Sequence, residues 1–137
     1  MILQKPTYLY HGSPKLLTRL EPRTARGVGV SKHRLTGIYA TSSRVFATAF
    51  ALPILPNEQG QLAWKLDWQG EQPCITIKAG LLDETGIGYI YQVAADSFEP
   101  LDELQWISYE AIEMLGYEVI HAKAYLHWIA HENNTSL

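Results

Sequence analysis

Short apolar runs that hand over to polar residues recur along this chain, and their spacing predicts strands accompanied by an early and a late helix. Tyr8-Leu9-Tyr10 is aromatic and β-prone and leads directly into His11-Gly12-Ser13, so it reads as a strand that ends at a site. Gly37-Ile38-Tyr39-Ala40-Thr41 repeats the device with a phenol. The segment that follows reads as a helix: Ser42 and Ser43 offer hydroxyls for an N-cap, and Val45, Ala49 and Leu52, with Phe46 and Phe50, fall at helical spacing.

Pro53 to Gln61, with two prolines, Asn57 and Gly60, reads as a loop that opens a β-rich remainder. Leu62 to Trp68 alternates apolar and polar residues. Pro73 to Lys78, Gly88 to Ala94, Gln105 to Tyr109 and Glu118 to Ile120 are short and rich in β-branched or aromatic residues, and all of these segments are expected to be strands. Ala79 to Gly86 reads as a turn or one loose helical turn, and Ala122 to His131 as helix-like. Arg23 to Thr36 has no apolar periodicity, two glycines and five basic or imidazole side chains, and reads as a mobile loop. Its Gly27-x-Gly29 is too short for a dinucleotide fingerprint. The fold class expected from this order is α+β.

Composition adds limits. With 137 residues, 47% hydrophobic and 18% charged, residues 1–137 are expected to form a single globular domain. No run approaches the roughly 20 apolar residues of a membrane span, and the N-terminus lacks the charged start and long apolar core of a signal peptide, so a cytoplasmic protein without a membrane partner is expected. Cys74 cannot form an internal disulfide and is expected to be a buried small hydrophobe. The net charge of −3 conceals a polarised chain: residues 1–50 carry eight Lys or Arg against Glu21, whereas residues 51–137 carry three Lys against thirteen acids. Positive charge near His11 and Tyr39 favours an anionic ligand such as a pyrophosphate; the alternative is a set of solvated surface charges. The acidic second half makes a general nucleic-acid groove a poor fit. His127 and His131, four apart on the expected last helix, have a spacing that can bind zinc, but no third ligand is evident and no metal is expected.

Three motifs carry a resemblance. His11-Gly12-Ser13 resembles the His-Gly-Ser/Thr signature of the diphtheria-toxin-like ADP-ribosyltransferases, the group that contains the poly(ADP-ribose) polymerases. Gly37-Ile38-Tyr39 resembles their Gly-Ile-Tyr-Phe-Ala segment, and Phe46-Ala47-Thr48-Ala49-Phe50 the Lys-Ser-Ala-Asn-Tyr helix after it. The likeness covers about the first 50 residues; the rest follows only by the order of elements. It implies an ADP-ribosyltransferase-like split β-sandwich with flanking helices, and NAD as substrate. On that resemblance His11 would hydrogen-bond a ribose hydroxyl, Gly12 would meet the carboxamide through its backbone, Ser13 would continue that edge, and Tyr39 would stack on the nicotinamide ring. Phe50 falls at a second stacking tyrosine and keeps the apolar face without the hydroxyl. Ala47 falls at a serine that bonds the carboxamide, and Arg26 and Arg34 are candidates for the phosphates.

The family's catalytic glutamate stands at the start of a late strand, where this chain has Gln105, with Glu110 as the second choice. Alternation puts Glu103, Gln105 and Ile107 on one face and Ser108 and Glu110 on the other. A glutamine can bond a hydroxyl but cannot neutralise a cationic sugar, so single transfer, slow hydrolysis or mere binding is implied rather than polymer growth. The expected function is NAD-dependent mono-ADP-ribosyl transfer to a protein or nucleic-acid acceptor, as in a stand-alone effector or toxin domain, for which an antitoxin would be a further partner. The alternatives are an RNA 2'-phosphotransferase-like NAD-dependent enzyme, and a catalytically poor NAD- or ADP-ribose-binding module. Each site residue also has a plain structural reading: His11 as a turn histidine, Tyr39 and Phe50 as core, Ser43 as a cap.

Overall fold

A computed structural model describes residues 5–24 and 36–132. β1 (Tyr8–Ser13), β2 (Arg23–Thr24) and β3 (Thr36–Thr41) precede the helix α1 (Arg44–Ala51). β4 (Ile54–Leu55), β5 (Ala63–Gln69), β6 (Gln72–Ala79), β7 (Leu81–Leu82) and β8 (Ile87–Ala94) follow. After β9 (Glu99–Pro100), β10 (Gln105–Ser108) and β11 (Gly116–His121), a 3-10 helix over Ala122–Trp128 leads into β12 (Ile129–His131). The class is α+β and mostly sheet. A seven-stranded antiparallel sheet has the order β11-β8-β1-β3-β10-β9, with β2 beside β3; β12-β6-β5 form a second sheet, and β4 pairs with β7.

On β6 alternation decides the faces: Pro73, Ile75 and Ile77 are buried while Cys74 and Thr76 between them are half-buried. The expectation of a buried thiol is therefore corrected: Cys74 is half-buried, with Sγ 3.7 Å from Gln69 Oε1. β8 is covered on both faces, with Ile90 in the core beneath α1 and Tyr91 and Val93 on the opposite side.

The helix starts and stops for local reasons. Ser43 Oγ accepts the Phe46 N–H at 3.1 Å, a cap worth about 1 kcal/mol. The chain leaves the helix at Leu52, which is extended (φ −66°, ψ 134°) because the next residue is Pro53. Thr48, buried within α1, donates its hydroxyl to Arg44 O at 2.8 Å and so leaves no orphaned polar group. Ala47, Ala49 and Ala51 join Ile75, Ile77, Ile90, Trp64 and Trp128 in one core between α1 and the two larger sheets. Two glycines let the helix backbone lie directly on the large sheet. A Cβ on Gly12 would stand 1.9 Å from Ala47 O, and one on Gly88 would stand 1.7 Å from Ala51 O.

The other face of the large sheet carries a second core, formed by Leu9, Ile38, Ala40, Tyr91, Val93, Phe98 and Trp106, with Leu20 from the segment after β1. Tyr91 is fully buried there, and its hydroxyl accepts the Leu17 N–H at 2.7 Å and donates to Lys15 O at 2.7 Å. Burial pushes the Tyr91 phenol above its ordinary pKa, while the Leu17 amide pulls the other way.

Some expectations give way to long-range pairing. His11, Gly12 and Ser13 continue β1 rather than ending it, because each pairs with β8: His11 with Tyr91, Gly12 with Ile90, Ser13 with Tyr89. The Ala79–Gly86 stretch holds β7, and β4 interrupts the expected loop 53–61. The expected last helix is 3-10, has a non-helical Tyr125, and gives way at Ile129 to β12, which pairs in parallel with β6. His127 and His131 therefore lie on different elements, and their spacing of four no longer puts them on one helical face. Of the Arg23–Thr36 segment, residues 25–35 lie outside the described residues.

Candidate functional site

β1 sits between β8 and β3, but its two partners hold it differently. Pairing with β8 runs the whole length of the strand, from Tyr8 to Ser13, whereas pairing with β3 is recorded at Tyr10↔Thr41 alone. Beyond that point the two strands part. The Tyr39 carbonyl, which a continued ladder would have supplied with a backbone donor, instead receives the side chain of His11: Nδ1 lies 2.6 Å from Tyr39 O. A carbonyl only accepts, so Nδ1 carries a proton, and when the ring is neutral Nε2 is the acceptor. The backbone gap thus fixes the tautomer of the imidazole.

Around the gap lies a cavity of about 230 Å³, open to solvent. Cross-strand neighbours share a face, so the pairs Tyr10↔Thr41, Gln105↔Thr41 and Ile107↔Tyr39 place Tyr10, Tyr39, Thr41 and Gln105 on the side covered by α1. α1 contributes Phe46, Ala47 and Phe50 to the same cavity. His11 comes from the other side, where its ring faces Tyr91 with centroids 6.4 Å apart. The parting of β1 and β3 is what lets residues from both faces line one space.

Of the residues singled out from sequence, His11, Gly12, Tyr39, Ala47, Phe50 and Gln105 line this cavity together. Ser13 does not: it lies further along β1, and its Oγ accepts the Lys15 N–H at 3.1 Å. Glu110 does not either. It is exposed beyond the end of β10, with its backbone N–H 3.3 Å from Ser108 Oγ. Arg26 and Arg34 lie outside the described residues.

Sequence reasoning missed Leu20, Glu21 and Phe46 as cavity residues, while Tyr10 and Thr41 stand within the two segments it singled out. Phe46 opens the helix motif and could have been found by adjacency. Glu21 could not, because it reaches the site through the Leu20↔Ile112 bridge, whose two backbone hydrogen bonds are each 2.9 Å. Leu20 is buried, and Glu21 stands next to it at the cavity rim, 3.5 Å from Arg19 Nε. Glu21 is the acidic side chain among the described cavity residues.

The aromatic lining extends outward from the cavity. Phe46 and Phe50 meet edge to face at 5.1 Å, and the indole of Trp68 stacks on Phe46 at 6.1 Å with planes 16° apart. Such a space, with apolar ring walls and a few placed acceptors, suits a flat ring joined to a hydroxylated group. Among the described residues no three His, Cys, Asp or Glu side chains cluster together, and no helix is long and apolar enough to cross a membrane. No protein-family model, no curated protein and no solved structure matches this chain.

Proposed function

We propose that this protein binds NAD at the His11–Tyr39 cavity and acts as an ADP-ribosyltransferase-like enzyme, with an ADP-ribosyltransferase-like split β-sandwich as its fold. The observation that carries the reading is the meeting of the three resembling segments. His11-Gly12 on β1, Gly37-Ile38-Tyr39 on β3 and the Phe46–Phe50 stretch of α1 line one open cavity, at the place where β1 and β3 part. Gln105, at the start of β10, completes it.

In this reading the nicotinamide ring lies against Tyr39 and Phe50, and His11 Nε2 accepts a hydrogen bond from a ribose hydroxyl. The bond from ribose C1′ to the pyridine nitrogen breaks, and its electron pair leaves with nicotinamide. The acceptor nucleophile then bonds C1′ and gives up its proton. Positive charge grows on the sugar as the bond stretches, and Glu21 is the carboxylate at hand to oppose it. A cavity of about 230 Å³ is smaller than the roughly 300–1,000 Å³ that encloses a drug-sized ligand, so it takes the nicotinamide-ribosyl end and leaves the adenylate outside.

Nicotinamide release and label transfer from NAD, alone and with candidate protein and nucleic-acid acceptors, test the proposal. Saturable NAD binding with nicotinamide release supports it. Absence of saturable binding of both NAD and nicotinamide overturns it. The neutral Gln105 favours a second reading, a binding module with little turnover, which predicts saturable binding of NAD and ADP-ribose with no nicotinamide released.

A further inference from the structure

Four residues ahead of β10, Leu101 to Leu104, form a turn that closes on the first residue of the strand. Leu101 N–H and Asp102 N–H donate to Gln105 O at 2.9 and 3.2 Å. The Asp102 carboxylate then accepts donors from within the turn and from the strand. Oδ1 takes the backbone N–H of Leu104 at 2.8 Å and of Gln105 at 2.7 Å, and Oδ2 takes the side-chain Nε2 of Gln105 at 3.0 Å. The first two bonds are those of an ordinary Asx turn. The third goes to a side chain that lines the cavity.

A primary amide has one donating end and one accepting end. A carboxylate only accepts, so the Gln105 amide must direct its NH2 at Asp102, and the carbonyl oxygen is the end that Asp102 does not hold. From this geometry we infer that Asp102 is a positioning residue: it locks the Gln105 amide with its acceptor toward the cavity, so that position 105 selects a ligand bearing a hydroxyl or N–H donor. Donation to a carboxylate also draws electron density onto the amide oxygen and strengthens it as an acceptor. The inference deepens the NAD reading and rests on it only for the identity of the donor, a sugar hydroxyl.

A glutamate at position 105 would conflict with the same partner. A carboxylate at 105 would lie about 3 Å from Asp102 Oδ2, where each negative charge disfavours the other. Glutamine answers an aspartate at 102, and a glutamate would answer an asparagine. The two positions form one unit, and changing either alone turns the acceptor into a donor or sets two acids against each other.

Four proteins test this: wild type, Asp102→Asn, Gln105→Glu and the double variant. In Asp102→Asn the new amide keeps an oxygen for the turn and presents its NH2 to Gln105, which must rotate and offer the cavity a donor. Calorimetry should then show NAD and ADP-ribose affinity reduced at least tenfold. Gln105→Glu alone should bind no better than wild type. In the double variant the introduced asparagine donates to the introduced glutamate, the acceptor is restored, and affinity should return to within threefold of wild type, with nicotinamide released faster than by any other member of the set. A merely structural role for Asp102 cannot produce that rescue, since the single and double variants with asparagine at position 102 carry the same weakened turn.

Independently of any nucleotide, the 15N spectrum should contain a Gln105 side-chain NH2 pair that is held and slowly exchanging in wild type and displaced in Asp102→Asn. An unchanged Gln105 pair, or a Gln105→Glu protein that matches the double variant in binding, overturns the inference. If wild type binds neither NAD nor ADP-ribose while the Gln105 signal responds as stated, the NAD reading falls and the positioning role stands.

Discussion

Replacing Gly12 with alanine sets a propensity gain against a steric cost, and the distances decide the sign. In a strand interior alanine is favoured over glycine by about 0.5–1 kcal/mol because the unfolded chain has less freedom to lose. Here the added methyl would meet Ala47 O at 1.9 Å and Ala51 N at 2.9 Å, both backbone atoms that no rotamer change can remove. Restoring an ordinary contact of about 3.4 Å requires the helix to back away by about 1.5 Å. Overpacking of this kind costs about 1–3 kcal/mol, and the rigid obstacle puts Gly12→Ala at the upper end. The net loss is about 2 kcal/mol, which for a chain of 137 residues lowers Tm by about 8 °C. Because Ala47 and Phe50 move with the helix, NAD affinity should fall as well. Gly116→Ala is the control: an added Cβ there meets nothing within 4 Å, and its melt should match or slightly exceed wild type. Calorimetric melts of the three proteins decide the matter. A Gly12→Ala protein as stable as wild type would refute the claim that the glycine of the His-Gly-Ser motif seats α1 on the sheet.

Three further outcomes are expected. Tyr39→Ala should keep a cooperative unfolding transition, since the His11 hydrogen bond goes to the backbone carbonyl, yet lose at least tenfold in NAD affinity by calorimetry; collapse of the transition would favour a core role instead. Tyr91→Phe removes the hydroxyl partner of both Leu17 N–H and Lys15 O and should cost about 1–3 kcal/mol in urea unfolding at pH 8. In wild type the raised Tyr91 pKa means that its share of stability is complete below the ordinary tyrosine value of about 10 and is lost as pH rises through the folded value, because the unfolded chain ionises first. That alkaline loss should be smaller in the phenylalanine variant. Arg44 pairs with Glu118, through Nε at 3.0 Å and through NH2, but both side chains are about half exposed, so Arg44→Ala should cost only about 0.2–1 kcal/mol and the difference should vanish in 1 M salt.

Much of the local structure was legible in the residues themselves. The Ser43 cap, the helix that ends before Pro53, and the strands near 63–69, 72–79, 87–94 and 105–108 all follow from patterns within a few residues of one another. The misreadings share a cause. Ile129-Ala130-His131 looks helical by neighbours and becomes a strand because β6 offers an edge, and Cys74 looks buried within an apolar run until the inward set is seen to be Pro73, Ile75 and Ile77.

The site divides along the same line. Nearest-neighbour preferences, rotamer entropy and capping act over one or two turns of chain, so sequence alone determined that an imidazole, a phenol and a capped helix would occur in that order within the first half. Whether they meet depends on contacts between residues far apart, and only the tertiary structure decided it. The parting of β1 from β3 gave the His11 imidazole the Tyr39 carbonyl. The bridge from Leu20 to Ile112 brought Glu21 to the rim, and the pairing of β10 with β3 brought Gln105, whose amide is held by the local turn at Asp102, to the same cavity. Each of these meetings rests on hydrogen bonds between residues far apart in the chain, because a buried donor or acceptor is satisfied by whichever group the packing brings within reach.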